Sequence, residues 1–222
     1  MRETERVEIL IDAGNFYHLA LKKLGVAEID FDYEAFVSFL MNGRTLVPEG
    51  KRLYVGTVRE KEGDLRTKNA MAEQRRFLSV LLSAKWQIKT SKLRSRIEEI
   101  AVDSRMQEYK TLTAAGVQTI HVERMREKGI DVKIATDLIV GAVDDKYDTA
   151  IVISSDTDLV PAIDWVRMRK KKRAEYVGFS IPDARGNAYA SKPTFALIAR
   201  TDVQRILVES DIRRFIKQKL MP

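Results

Sequence analysis

The chain has no cysteine. Disulfides are therefore excluded, and thiolate metal sites with them. Histidine is nearly as scarce, with only His18 and His121 in 222 residues. A zinc site of the usual His-rich kind does not fit so few imidazoles. No apolar run approaches the length of a membrane span, so no membrane partner is expected. The opening segment, MRETERVEIL, lacks the long apolar core of a signal peptide, and a cytoplasmic location is the expectation. Internal repeats, low-complexity tracts and long Pro/Gly/Ser linkers are missing too. The length then fits one α/β domain, 1–222.

What the chain has in excess is positive charge, a formal +7. A basic protein favours anionic partners, nucleic acid above all. The densest basic run is Arg167, Met168, Arg169, Lys170, Lys171, Lys172 and Arg173. It reads equally as a helix end, where cations suit the macrodipole, and as a surface for backbone phosphates.

The most informative stretch is AIVISSDTDL, from Ala150 to Leu159. Its apolar start suits a strand buried on both faces. The Ser-Ser-Asp-Thr-Asp that follows is turn and cap chemistry. Leu159, Ala162, Ile163 and Val166 then recur at helical spacing, with Pro161 in the first turn. Asp156 and Asp158 thus sit where a core strand gives way to a helix. A lone aspartate there is most simply a cap. A second acid two positions on is harder to explain that way.

The pattern occurs earlier as well. VEILI, Val7 to Ile11, runs into Asp12, Ala13, Gly14 and Asn15, then into Phe16, Leu19, Ala20 and Leu24 at helical spacing. Asn15 suits a cap and a site role equally. Asp30 or Asp32 caps a helix that carries Phe36, Val37 and Leu40. Gly43 to Gly50 reads as a loop, Arg52 to Val58 as a strand, Glu60 to Asp64 as a charged loop. An amphipathic helix to about Ala84 and a short strand at Trp86 and Ile88 follow. Thr90 to Gly116 matches no clear element, and 90–116 reads as an insertion. Lys89, Lys92, Arg94 and Arg96 there suit phosphate contact or a solvated face. Val117 to Val122 is a strand that leaves His121 out of phase.

Asp131 is placed as the N-cap of a helix over Val132 to Val143. Asp137 lies inside that helix among Ile134, Leu138, Ile139 and Val140. A carboxylate there is costly unless something pairs with it. Asp144, Asp145 and Asp148 form an exposed acidic turn. Tyr176 to Ser180 reads as a strand. The loop Pro182 to Lys192, with Asp183, Arg185 and Asn187, borders a site on this reading. Thr194 to Ala199 reads as the last strand, and 201–222 as a C-terminal helix.

Alternating strands and helices argue for a mostly parallel sheet with helices on both faces. Ligands bind at the carboxyl edge of such sheets. Asp12 and Asp156 both end strands at that edge, and Asp131, Asp137 and Asp158 can converge on it. Carboxylates ~4 Å apart repel by about 1 kcal/mol per pair in water, and by about 4 kcal/mol at an effective dielectric of 20. Several together call for a multivalent cation. All-oxygen ligation points to Mg²⁺ or Mn²⁺.

Three segments carry a resemblance. VEILIDAGN, EKGIDVKIATDLI and AIVISSDTDLVPAI are similar to the three motifs of NYN domains, which belong to the PIN-like nuclease superfamily and include bacterial LabA/DUF88-type proteins. The resemblance implies a Rossmann-like three-layer αβα sandwich and a Mg²⁺- or Mn²⁺-dependent ribonuclease site. Asp12, Asp137 and Asp156 match the core acids, Asp131 and Asp158 further acidic positions, and Asn15 a polar residue beside the first Asp. Ser155 stands where Gly is common and Leu159 where Phe is common. The expected metal ligands are Asp12, Asp137, Asp156 and Asp158, with Asp131 completing the catalytic set. RNA is the expected partner, with DNA open as an alternative and a homodimer compatible. A catalytically silent RNA-binding protein of the same fold is the second reading, and its sign would be a lost acid. A small-molecule phosphatase would place Asp-x-Asp at the first strand, where this chain has Asp12, Ala13 and Gly14.

Overall fold

The computed structural model describes residues 4–58, 63–127, 129–183, 186 and 189–217, with backbone alone for 93–95 and 124–127. Glu60, Arg185 and Asn187, assigned to loops above, lie outside the described residues.

A seven-stranded sheet in the order β4-β3-β2-β1-β5-β6-β7 organises the chain. Its strands are β1 (Arg6–Asp12), β2 (Thr45–Thr57), β3 (Gln87–Ala101), β4 (Thr119–Glu127), β5 (Thr149–Ile153), β6 (Arg173–Ser180) and β7 (Val203–Val208). Every neighbouring pair is parallel except β3 with β4. The apolar runs explain the centre. After Arg6 every residue of β1 is buried, as is every residue of β5, which suits strands covered on both faces.

Helices α1 (Ala13–Phe16), α2 (Tyr33–Met41), α3 (Leu65–Ser83) and α8 (Glu209–Arg213) carry one apolar layer. That layer includes Phe16, Phe31, Phe36, Phe77 and Phe215 packed on Ile9, Ile11, Leu53 and Val55. Phe16 stacks on Phe36 at 5.5 Å between ring centroids. Helices α5 (Ile130–Val143), α6 (Val160–Lys170) and α7 (Phe195–Arg200) cover the other face, with Ile134, Leu138, Ile163, Val166 and Leu197 packed on Leu10, Tyr54, Val152 and Tyr176. A fully buried side chain of this size contributes about 1.5–3 kcal/mol. The expected three layers are thus present. Asp32 caps α2, as expected, accepting from the Ala35 amide at 3.0 Å.

Four local readings change. Residues expected as a loop over Gly43 to Gly50 start β2, and the β1–β2 register jumps from Val7 opposite Leu46 to Ile9 opposite Lys51. The intervening Pro48, Glu49 and Gly50 bulge out, which accounts for their loop-like composition. Thr90 to Ala101 is strand. Residues 87–92 pair with β2, and 93–101 leave the sheet to pair with β4. A short helix α4 (Tyr109–Ala114) lies between the two. Thr194 to Ala199 is not the last strand, because Phe195–Arg200 is helical. Val203–Val208, expected within the tail helix, is β7 and pairs with β6. Short apolar runs of this kind have no decisive period, and the free edge of β6 selects the strand.

Candidate metal centre

The strand order places a topological switch at β1. From β1 the chain builds outward through β2 and β3, and later returns to the other side of β1 with β5. The crevice at such a switch, outside the carboxyl ends of the strands, is where α/β sheets bind ligands. Asp12 ends β1, and Asp156 follows β5 by three residues.

Asp12 is buried and caps α1. Its carboxylate accepts from the Asn15 amide at 3.0 Å, from Asn15 Nδ2 at 2.6 Å and from Ser154 Oγ at 3.1 Å. Burial pushes its pKa up, the bonds from Asn15 and Ser154 pull it down, and the Asp156 charge adds to the rise. Asn15 Oδ1 in turn accepts from the Ser155 hydroxyl and, at 3.3 Å, from the Ser155 amide. The Asp156 amide donates to Ser154 Oγ at 3.2 Å. Asn15 thus joins the end of β1 to the turn after β5, while the cap of the helix is Asp12 and not Asn15. Thr194 Oγ1 closes the far side by donating to the Ser155 carbonyl at 3.1 Å.

Asp156 caps the 3-10 turn Thr157–Leu159, accepting from the Asp158 amide at 2.9 Å. That bond folds the Asp158 backbone back toward Asp156. Asp131 arrives from α5. The expectation that it caps this helix is corrected. The cap is Gly129, whose φ of +86° an L side chain rarely adopts, and Asp131 lies in the first turn. Its carboxylate is thereby left to face the crevice acids. Asp131, Asp156 and Asp158 each offer a carboxylate oxygen, and these oxygens lie within 4.8 Å of one another. Three hard oxygen donors at that spacing suit a divalent ion such as Mg²⁺ or Mn²⁺.

Asp137 has other partners. Six residues at ~1.5 Å each place it about 9 Å further along the helix than Asp131. It accepts from Tyr54 Oη at 2.8 Å and pairs with Arg52 at 3.5 Å and Lys89 at 3.7 Å. The need for a partner, argued from its apolar neighbours, is met by these groups. It is not one of the three clustered acids. Beneath it Arg52 Nε contacts Glu8 at 2.7 Å. Burial raises the Glu8 carboxyl to about 7, against the pull of Arg52. Tyr54, Arg52, Ser154 and Thr194 were not singled out as site residues in the sequence. The pairing of β1 with β2 and β5 brings the first three together, and Thr194 comes from the residue before α7.

The basic run lies elsewhere. Asp158 precedes the first residue of α6, and the run ends that helix of 11 residues. At ~1.5 Å per residue the two are separated by about 16 Å. Arg167 holds Asp202 through two bonds of 2.6 and 2.8 Å. Lys172 pairs with Asp145 and Asp148, and Arg173 with Glu5 at 3.5 Å. Arg169, Lys170 and Lys171 remain exposed at the opposite end of the sheet from the acids. In the loop expected to border the site, Asp183 pairs with Lys23 at 2.9 Å.

A mostly parallel sheet between two helical layers, with acids at its switch point, defines a Rossmann-like three-layer domain of the PIN-like kind. The fold is similar to that of a protein of unknown function from Vibrio parahaemolyticus RIMD 2210633, with a TM-score of 0.51 and 17% identity over 93% of this chain and 95% of that one. No curated protein matches the chain. The NYN domain family model matches residues 6–196, and the chain belongs to that family. The resemblance drawn from the three motifs is thereby borne out, and with it membership of a nuclease-type superfamily.

Proposed function

We propose that the chain is a metal-dependent ribonuclease that hydrolyses phosphodiester bonds of RNA. The observation that carries this reading is the meeting of Asp131, Asp156 and Asp158, from two separate helix starts, within 4.8 Å. Crowded acids of this kind favour a Mg²⁺ or Mn²⁺ ion, which would polarise the scissile phosphate and assist ionisation of the attacking water. Asp131, Asp156 and Asp158 would hold it directly. Asp12 stands beside Asp156 and would take part directly or through water. Asn15 fixes the Asp12 carboxylate and ties it to Ser155. Asp137 holds Tyr54, Arg52 and Lys89 at the side of the crevice and leaves Lys89 placed to meet a phosphate. Retention of all five acids favours turnover over a silent binding role.

The test is cleavage of an end-labelled RNA by the purified full chain with Mn²⁺ or Mg²⁺, followed on a denaturing gel. Asp156→Asn should abolish cleavage with no change in the circular dichroism spectrum, and chelation should abolish it in the wild type. Equal cleavage by wild type and variant would remove the assignment. A matched DNA strand run alongside decides which nucleic acid is the substrate.

A further inference from the structure

Beyond the acid crevice, the largest feature without an explanation in the core is the ribbon formed by β3 and β4. Residues 93–101 of β3 continue past the end of β2 and, among the described residues, pair only with β4. Nine register pairs make a two-stranded ribbon about 30 Å long. No residue of it whose burial is described is buried. A two-stranded ribbon without a core beneath it is marginal in water, so packing alone does not account for it.

The register gathers most of the positive charge of the ribbon on one face. Arg94 stands opposite Arg126, and Arg96 opposite Arg124. Alternation along the strands puts these four arginines on one face, together with Lys92. Glu98, Ile100, Ile120 and Val122 share that face, and the other takes Leu93, Ser95, Ile97, Glu99, His121, Glu123, Met125 and Glu127. Like charges placed directly across a ladder are destabilising, and here two such pairs are adjacent, with Glu98 the one acid that shares their face among the described residues. A bound polyanion reverses that sign.

The ribbon also starts at the right place. β3 leaves the sheet at the carboxyl edge, where Thr57 pairs with Lys92, and β4 returns to the same edge. Arg126 precedes Asp131 by five residues, and Lys133 Nζ of the first turn of α5 donates to the Thr90 carbonyl of β3. The base of the ribbon is thus tied to the helix that supplies one of the clustered acids.

We propose that the arginine face of this ribbon holds the RNA backbone and leads it to the acid crevice. The proposal rests on the ribonuclease reading for what lies at the ribbon's base. Phe, Tyr and Trp are absent from both ribbon strands, so recognition is by phosphate charge, tolerant of sequence and steep in salt.

The experiment uses the full chain carrying Asp156→Asn, so that the probe survives. Anisotropy of a fluorescein-labelled 20-nucleotide oligouridine reports affinity between 50 and 200 mM salt. Arg94→Gln, Arg96→Gln, Arg124→Gln and Arg126→Gln together should weaken binding at least tenfold at low salt. They should also reduce the slope of log affinity against log salt by about 3, at ~0.7 per lost contact on a single strand. Arg169→Gln, Lys170→Gln and Lys171→Gln, at the far end of α6, should leave both within a factor of two. If the fourfold variant loses its folded spectrum, Arg96→Gln with Arg124→Gln should lower the slope by about half as much. An unchanged slope in the ribbon variants, or a larger loss in the α6 variant, overturns the proposal. The two readings fail separately. Ribbon-dependent binding without cleavage by the wild type would retire the nuclease and keep the ribbon, whereas cleavage with ribbon-independent binding would do the reverse.

Discussion

Two glutamates carry similar perturbations from different surroundings. Burial raises both Glu8 and Glu28 to about 7 from an ordinary 4.5. Glu8 lies against Arg52 at 2.7 Å, so its ionised form has a partner. Glu28 stands beside Phe31, Tyr33, Phe77 and Leu81, and desolvation is the sole cause of its rise. The sign follows from proton linkage. Below about 4.5 the folded and unfolded chains both hold the proton. Between about 4.5 and 7 the unfolded chain releases it first, so stability falls as pH rises. Above 7 the whole penalty stands. Glu28→Gln removes the charge without leaving a cation behind. It should stabilise the protein at pH 8 by about 1–3 kcal/mol and change little at pH 4.5. Urea unfolding at the two pH values checks this, and an equal effect at both would show that the carboxyl is not what titrates. Glu8→Gln should behave oppositely, because it removes the nearer of the two carboxylates that hold the mostly buried Arg52.

At the scale of the element, the contact between α5 and the sheet is set by one missing side chain. A Cβ on Gly141 would lie 2.7 Å from the Tyr147 ring and 2.9 Å from Glu8 Oε2. In an open helix Gly→Ala stabilises by roughly 0.5–1 kcal/mol. Here overpacking costs about 1–3 kcal/mol, so the net sign should be destabilising. Gly141→Ala should therefore lower the melting temperature by a few degrees, and a rise would show that α5 can move outward freely. The same element shows how far the sequence could be read. The apolar runs of β1 and β5 declare strands because both faces are covered, and the Asp-x-Asp after β5 declares a site because one cap needs only one acid. Asp131 reads as a cap, because nothing local reveals that Gly129 adopts the left-handed turn instead. The partners of Asp137 come from Tyr54, Arg52 and Lys89 on strands far away in sequence, and only the sheet register brings them together. The outer part of β3 mixes charged and apolar residues without a buried face among its described residues, and becomes a strand by pairing with β4. Thr194 to Val208 misleads because two short apolar runs there suit either period, and the edge of β6 decides between them.

For the whole molecule, the acid crevice is where segments distant in sequence meet against the repulsion of their own charges. Asp12 comes from β1, Asp131 from α5, and Asp156 and Asp158 from the turn after β5. Hydrogen bonds through Asn15 and Ser154 join β1 to that turn, but the clustered oxygens of Asp131, Asp156 and Asp158 push α5 and α6 apart. A divalent ion shared by the three would change repulsion into a link between the helix starts. Because the unfolded chain cannot assemble this set, binding adds directly to global stability, by about 2.7 kcal/mol at a hundredfold excess over the dissociation constant. For a chain of this length that is a rise in melting temperature of roughly 5–10 °C. Saturating Mn²⁺ should produce such a rise in the wild type, read by differential scanning fluorimetry without any RNA present. Asp131→Asn and Asp156→Asn should each abolish most of it, whereas Asp137→Asn should retain most of it, because Asp137 is engaged by Tyr54, Arg52 and Lys89. A full shift in Asp131→Asn would mean that the ion does not bridge the two helices. Loss in Asp137→Asn equal to that in Asp156→Asn would move the centre deeper along α5, toward the ligand set that the family resemblance implied.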